Sequence, residues 1–289
     1  MKVAIELAGI VGGIGGKHGK GDSKEALQLG YNHYKKFILD HNDCDIFCHT
    51  ASLERVEDII ELYKPKKIKA LKQPKFTVPK DAIVGTDTRR IQAHYHKWYG
   101  HKIASSLRQE YEKETGTKYD IVYISRYDLA WNKIVDFSKF DPEKVWTGNW
   151  NVLYNNNKKI SNHAWYRDYN LRCKKMIENN DTSNFKNIKS VLYGYPHTDD
   201  GLLETWLFSK PEYMNKFCTL FDHIDEYSTK KPNTWWGGKS TIHDKCGQIT
   251  NHRLVPVHLE QLGLLDKLSF AFYLHDEFAL ARRQYYGVK

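Results

Sequence analysis

The stretch "ISRYDLAW", Ile124 to Trp131, sets Arg126 and Asp128 two residues apart behind an apolar run. In an extended chain, residues two apart point to one face. A carboxylate there can hold a hard divalent cation, Mn²⁺ or Mg²⁺, that bridges the two phosphates of a nucleotide. A guanidinium beside it can neutralise the remaining phosphate charge with its planar fork. Together they would stabilise a departing diphosphate by Lewis-acid chemistry. The same pair also suits a structural Arg–Asp contact at a strand–turn junction, and R-x-D alone does not separate the two.

A second stretch, "GIVGGIGGKHGKGDS" from Gly9 to Ser23, follows the first apolar run. It is no P-loop: Gly21 follows Lys20 where Ser or Thr is needed, and Ile14 stands where the first glycine belongs. It also fails G-x-G-x-x-G, because Gly13-Ile14-Gly15 leads to His18. What remains is a loose basic loop. Gly9, Gly12, Gly13 and Lys17 can cover a diphosphate without a fixed nest, or the loop has no ligand.

Other residues carry paired readings. His49, at the end of a second strand, can touch a nucleotide base or be a satisfied polar group. His258 in "VPVHLE" falls on a late strand, where it adds a metal ligand or stays structural. His94 and His96, two apart on a helix, do not share a face, which argues against zinc. Trp150 in "VWTGNWNVLY", and Trp235-Trp236 before Gly237-Gly238, suit sugar stacking or hydrophobic filling.

The elements that must position these residues alternate through the first half. "VAIELAGI" is a buried strand. Asp22 and Glu25 resemble a capping box for a helix with Leu27, Tyr31, Tyr34 and Ile38 inward. "DIFCHT" is a second strand. Ser52 caps a helix that faces Val56, Ile59, Ile60 and Tyr63 inward, and Pro65 stops it. "KKIKAL" is an edge-type strand, a long helix runs from about Arg89 to Lys113, and "YDIVYIS" is a fourth strand. Strands joined by such helices run parallel, and ligands bind outside their carboxyl ends. The glycine loop and "SRYDLAW" both lie there. The second half is less regular, with a helix from Pro211 and a short strand "RLVPVHL". No linker separates domains, so residues 1–289 read as one domain, 1–135 binding a nucleotide and 136–289 on the acceptor side.

Composition narrows the classes. The chain has 289 residues, with 40% hydrophobic and 13% aromatic content, which is globular and not disordered. The net charge of +9 admits a polyanionic partner, but the lysines are scattered. Five cysteines without a C-x-x-C pair argue for a reducing, cytoplasmic compartment. No apolar run approaches the roughly 20 residues of a membrane span.

The strings "DIFCHT", "ELYKPKKIKALKQ" and "KYDIVYISRYDLAW" resemble viral, phage and bacterial glycosyltransferases of the GT-A type. The resemblance implies an α/β, Rossmann-like, mostly parallel sheet flanked by helices, and a nucleotide-sugar donor under the glycine loop. It implies that R-x-D-L is the counterpart of the D-x-D metal motif, with Arg126 on the donor and Asp128 on Mn²⁺ or Mg²⁺. It also implies transfer of a hexosyl or pentosyl group to a glycan or other hydroxyl acceptor, in a host cytoplasm if the source is a virus or phage. Such transfer by inversion needs a group to take the acceptor's proton. "HTDDGLLE" supplies His197, Asp199, Asp200 and Glu204, with Asp200 and Glu204 foremost. In "ETWLFSKPEYM" Glu204 stands where the family has aspartate and Lys210 replaces a small residue, so Asp199 or Asp200 can serve instead. The same cluster also suits a polar helix start.

Three other readings stay in view. An enzyme glycosylating modified DNA bases would use the positive charge for phosphate affinity. A nucleotidyltransferase making the nucleotide sugar would want a G-x-G-T-R-like run, which is missing. A basic nucleic-acid-binding module would leave the clustered acids unexplained.

Overall fold

The computed structural model describes residues 1–12, 23–82, 90–149, 154–155, 158–159, 202–229, 249–274 and 277–280. Its first half alternates as expected: β1 (Lys2–Gly9), α1 (Lys24–Phe37), β2 (Asp43–Thr50), α2 (Val56–Tyr63), β3 (Lys67–Ala70), α3 (Ile91–Thr115) and β4 (Ile121–Ser125). There follow β5 (Leu129–Trp131), β6 (Val145–Asn149), and the short pair β7 (Tyr154–Asn155) and β8 (Lys158–Lys159). Then come β9 (Leu203–Ser209), α4 (Pro211–Phe217), α5 (Ile224–Thr229), α6 (Asn251–Gln261), β10 (Leu268–Tyr273) and β11 (Phe278–Leu280).

The main sheet runs β10-β6-β9-β4-β1-β2-β3. β1 pairs in parallel with β2 and β4, as do β2 with β3 and β6 with β10. β9 alone among these strands is reversed, pairing antiparallel with β4 and β6. The chain is thus α/β, with a mostly parallel sheet flanked by helices. Strands buried on both faces read as continuous apolar runs, which is why β1 and β4 were legible. One apolar cluster joins α3 (Tyr95, Trp98, Leu107) to Phe47, Ile124 and Leu207 on one face of the sheet. A second joins α1 (Leu27, Tyr34) to Ile5, Tyr123, Trp131 and Trp206 on the other.

Local chemistry sets the boundaries. α1 is capped by Ser23, whose hydroxyl accepts from the Ala26 amide at 3.2 Å, while Asp22 lies outside the described residues. α3 stops at Gly116, whose φ of 72° suits glycine. α2 ends at Lys64 in the left-handed region, and Pro65 prevents continuation.

Four expectations need correction. Ser52 stands at the N-cap position of the 3-10 turn Leu53–Arg55 that leads into α2, but its hydroxyl makes no cap bond; it accepts from the Val11 amide at 2.9 Å and ties the exits of β1 and β2. Ile60 is 39% exposed, so it faces out of α2. The sequence reading places no strand at Leu203–Ser209, where β9 forms. "RLVPVHL" lies in α6, not a strand: Thr250 caps it, and Leu254, Val255, His258 and Leu259 bury one helical face.

Candidate functional site at the carboxyl edge of the sheet

β4 ends at Ser125, and the chain turns through Arg126, Tyr127 and Asp128 into β5. Asp128 is fully buried. Its carboxylate accepts two bonds from Arg126, Nε to Oδ1 at 2.6 Å and Nη2 to Oδ2 at 2.9 Å. Gly12 lies against it: a Cβ there would sit 2.6 Å from Asp128 Cβ and 2.8 Å from Oδ2. The Gly12 carbonyl accepts from the Ser23 amide at 3.1 Å, so the bond that brackets residues 13–22 lies beside Asp128.

Buried hydroxyls hold this turn. Tyr34 Oη lies 2.6 Å from Ser125 Oγ and 2.8 Å from the Arg126 carbonyl. Tyr123 donates to Ser125 Oγ at 3.0 Å, and Tyr127 donates to the His49 carbonyl at 3.0 Å. Burial pushes all three phenols above their ordinary range, so they remain neutral. α1 passes so close that a Cβ on Gly30 would overlap the Tyr127 carbonyl.

The other flank is charged. Because β9 runs against β4, its first residues, Leu203 and Glu204, lie beyond β4's carboxyl end. Glu204 Oε1 is 3.3 Å from Lys97 Nζ of α3, and Oε2 is 2.5 Å from Nδ1 of His252 in the first turn of α6. Burial favours the neutral acid, but the charges of His252 and Lys97 outweigh it and hold the Glu204 carboxyl well below its usual range. Burial drives Lys97 down to about 8 against the pull of Glu204, and Arg126 adds to that fall. For His252, burial is outweighed by Glu204, and the imidazole is raised above its ordinary value. Arg126 feels Glu204's charge in turn, so the two flanks are one electrostatic unit.

A shallow cleft opens at the ends of β1, β2 and β3, lined by Gly9, His49, Leu71, Lys72, His96 and Tyr99 among others. His49 is buried, and neither ring nitrogen has a hydrogen-bond partner. Burial lowers its pKa to about 4, so it is neutral. Tyr99 meets it edge-on, with ring centroids 6.2 Å apart.

The edge therefore brings together Gly9, Gly12, His49, Arg126, Asp128 and Glu204. It does not bring His258 to Asp128. That ring sits on a helix, not a strand: Nδ1 bonds the Tyr227 hydroxyl at 2.8 Å, and the ring packs on Phe217 and His223. Gly13, Lys17, Trp150, His197, Asp199, Asp200, Trp235 and Trp236 lie outside the described residues. The sequence reading missed Lys97 and His252. A lysine beside Trp98 on the ridge of α3 was a signal available for the first; His252 had none, since its partners are remote in sequence.

Among the described residues no three His, Cys, Asp or Glu side chains cluster as metal ligands. Asp128 offers one carboxylate, engaged by Arg126. That suits a cation whose oxygens come mostly from phosphate and water, as for Mg²⁺, and not a cage made of protein. Among the described residues no helix is long and apolar enough to cross a membrane.

No family model and no curated protein matches the chain. Among solved structures, a nucleoside-diphosphate-sugar pyrophosphorylase from Vibrio cholerae RC9 is similar over 98% of this chain and 96% of its own, at 9% identity and a TM-score of 0.42. A likeness of that depth leaves the chemistry to be argued from the residues themselves.

Proposed function

We propose that this chain is a glycosyltransferase that uses a nucleotide-sugar donor. One observation carries the reading: the Arg126–Asp128 pair leaves the central strand β4 at its carboxyl end, against Gly12, with Lys97 and Glu204 alongside. In α/β sheets of this kind ligands bind at that edge. The donor's base occupies the cleft, where Tyr99 offers an aromatic edge and the buried His49 ring backs the wall. The diphosphate lies between Gly12 and Arg126. Arg126 turns its fork from Asp128 to phosphate oxygens, and the freed Asp128 carboxylate is the residue for Mn²⁺ or Mg²⁺. Such an ion, when bound, supplies charge that stabilises the departing diphosphate. Lys97, whose pKa burial lowers to about 8, adds positive charge at the same place while it is protonated. The acceptor hydroxyl, of a glycan or similar molecule, loses its proton on the β9 side, where Glu204 lies.

The test is a donor screen with UDP-, GDP-, CMP- and dTDP-sugars, Mn²⁺ with and without EDTA, and Asp128→Ala. Metal-dependent release of one nucleotide as its diphosphate (monophosphate for CMP), lost in the variant, is expected. Formation of a nucleoside triphosphate from pyrophosphate would instead make the chain a nucleotidyltransferase. Turnover that requires DNA and falls with salt would identify a DNA-base acceptor. No consumption of any donor would overturn the reading.

A further inference from the structure

The carboxylate that the sequence offers as a base is not arranged as one. Glu204 is buried, with one oxygen facing Lys97 and the other His252. A carboxylate held ionised by two cations is a poor proton acceptor. Of the three side chains the imidazole is the one that reaches solvent: 28% exposed, against 12% for Lys97 and 10% for Glu204.

We propose that His252 takes the proton of the acceptor hydroxyl and that Glu204 is the positioning residue that holds its ring. This rests on the transferase reading. Nδ1 of His252 hydrogen-bonds the Leu202 carbonyl at 2.9 Å and lies 2.5 Å from Glu204 Oε2 in an ion-pair contact, an oxygen that accepts no hydrogen bond. Nδ1 therefore carries the hydrogen, which makes Nε2 the basic nitrogen.

The backbone fixes the same arrangement. In an α-helix the carbonyl of residue 252 accepts from the amide of residue 256. Pro256 has no amide hydrogen. The His252 carbonyl accepts instead from the Leu202 amide at 2.9 Å. Leu202 and His252 are thus joined twice, once through the backbone and once through the ring. The start of α6 is thereby docked on the start of β9, beyond the carboxyl end of β4. The proline that misleads a reading of "RLVPVHL" helps place the histidine.

Chemically, the acceptor oxygen gives up its proton to Nε2 as its electron pair forms the bond to the donor's anomeric carbon. The bond from that carbon to the diphosphate oxygen breaks, and its pair leaves with the diphosphate. The imidazolium, neutralised by Glu204, then returns its proton to water. The product is inverted at the anomeric carbon. Among the described residues, the charged and titratable groups around the ring include Glu204 from β9 and Lys97 and His94 from α3. Glu204 raises the imidazole's pKa, and Lys97 opposes it.

The experiment uses the full chain with the donor that the wild type consumes, and His252→Gln, Glu204→Gln and Glu204→Asp variants. Wild-type kcat/KM should rise with pH through one ionisation above the ordinary 6.5 of histidine. His252→Gln should lower transfer by about 10²–10⁴-fold, with donor KM and the melting shift induced by nucleotide retained. Glu204→Gln should move the limb to lower pH, and Glu204→Asp should restore it. Nitrogen-15 NMR of the wild-type ring should show hydrogen on Nδ1, a readout that stands even if His252→Gln fails to fold. Wild-type rates in a folded His252→Gln, an unmoved limb in Glu204→Gln, or hydrogen on Nε2 would overturn the proposal and leave the transferase reading intact. If the wild type consumes no donor, both fall.

Discussion

On one side of Arg126, the hydroxyls of Tyr34, Tyr123 and Tyr127 close onto Ser125 and onto backbone carbonyls. On the other, Lys97 and His252 share one carboxylate, while His49 and His101 present buried ring nitrogens without hydrogen-bond partners. The first flank is neutral and packed around a glycine that tolerates no side chain. The second is charged, and its protonation changes near neutral pH. Buried polar groups are ordinarily paired, and unpaired ones cost about 1–3 kcal/mol each. The comparison assigns the hydroxyl flank to holding Arg126 and Asp128 in place and the charged flank to reacting with what they hold.

The largest expected break of that contrast is Glu204→Gln, which leaves Lys97 and His252 without their counter-charge, at a cost of about 3 kcal/mol. Its pH dependence has two limbs. Glu204's pKa is lowered on folding, so its contribution is present above the ordinary 4.5 and is lost as pH falls through the folded value. His252's is raised, so its contribution is complete below 6.5 and is lost as pH rises through the folded value. Urea unfolding should therefore show the widest gap between wild type and variant from pH 4.5 to 6.5, narrowing on either side. A gap independent of pH would erase the distinction between the flanks.

Next comes Gly30→Ala on the hydroxyl flank. The new methyl meets the Tyr127 backbone carbonyl, which cannot move without displacing Asp128. We expect a loss of about 2 kcal/mol with little pH dependence, although alanine is intrinsically the better helix former by about 1 kcal/mol. Gly100→Ala on the charged flank should have the smallest effect. Its methyl would meet His49 Nδ1 at 2.9 Å, a ring without hydrogen bonds to lose, so net stability should stay within about 1 kcal/mol. Equal losses in calorimetric melts of the two glycine variants would contradict the comparison.

How far the sequence revealed this arrangement depended on where each partner came from. "YDIVYIS" was legible because a strand covered on both faces has a continuous apolar signature. The site residues directly behind it, Arg126 and Asp128, follow from that placement. β9 was not legible, because Glu204 and Thr205 interrupt its apolar pattern and the counter-charges that stabilise Glu204 there, Lys97 and His252, are remote in sequence. "RLVPVHL" reads as a strand from its valines and proline. The helix wins because Thr250 caps it and Leu202 satisfies the carbonyl that Pro256 leaves open. That change of element moved His258 away from Asp128 and brought His252 to Glu204. The dyad could not be foreseen from spacing, since its members are forty-eight positions apart.

The central claim is that Arg126 and Asp128 receive a nucleoside diphosphate at the end of β4, and calorimetric titration tests it most directly. UDP, GDP, CDP and dTDP would be titrated into the full chain with and without Mn²⁺, beside Arg126→Ala and Asp128→Asn. The account predicts that one diphosphate binds, that Mn²⁺ tightens it, and that each variant weakens it about tenfold or more, equivalent to about 1.4 kcal/mol. Binding of none, or equal binding by wild type and both variants, would contradict it.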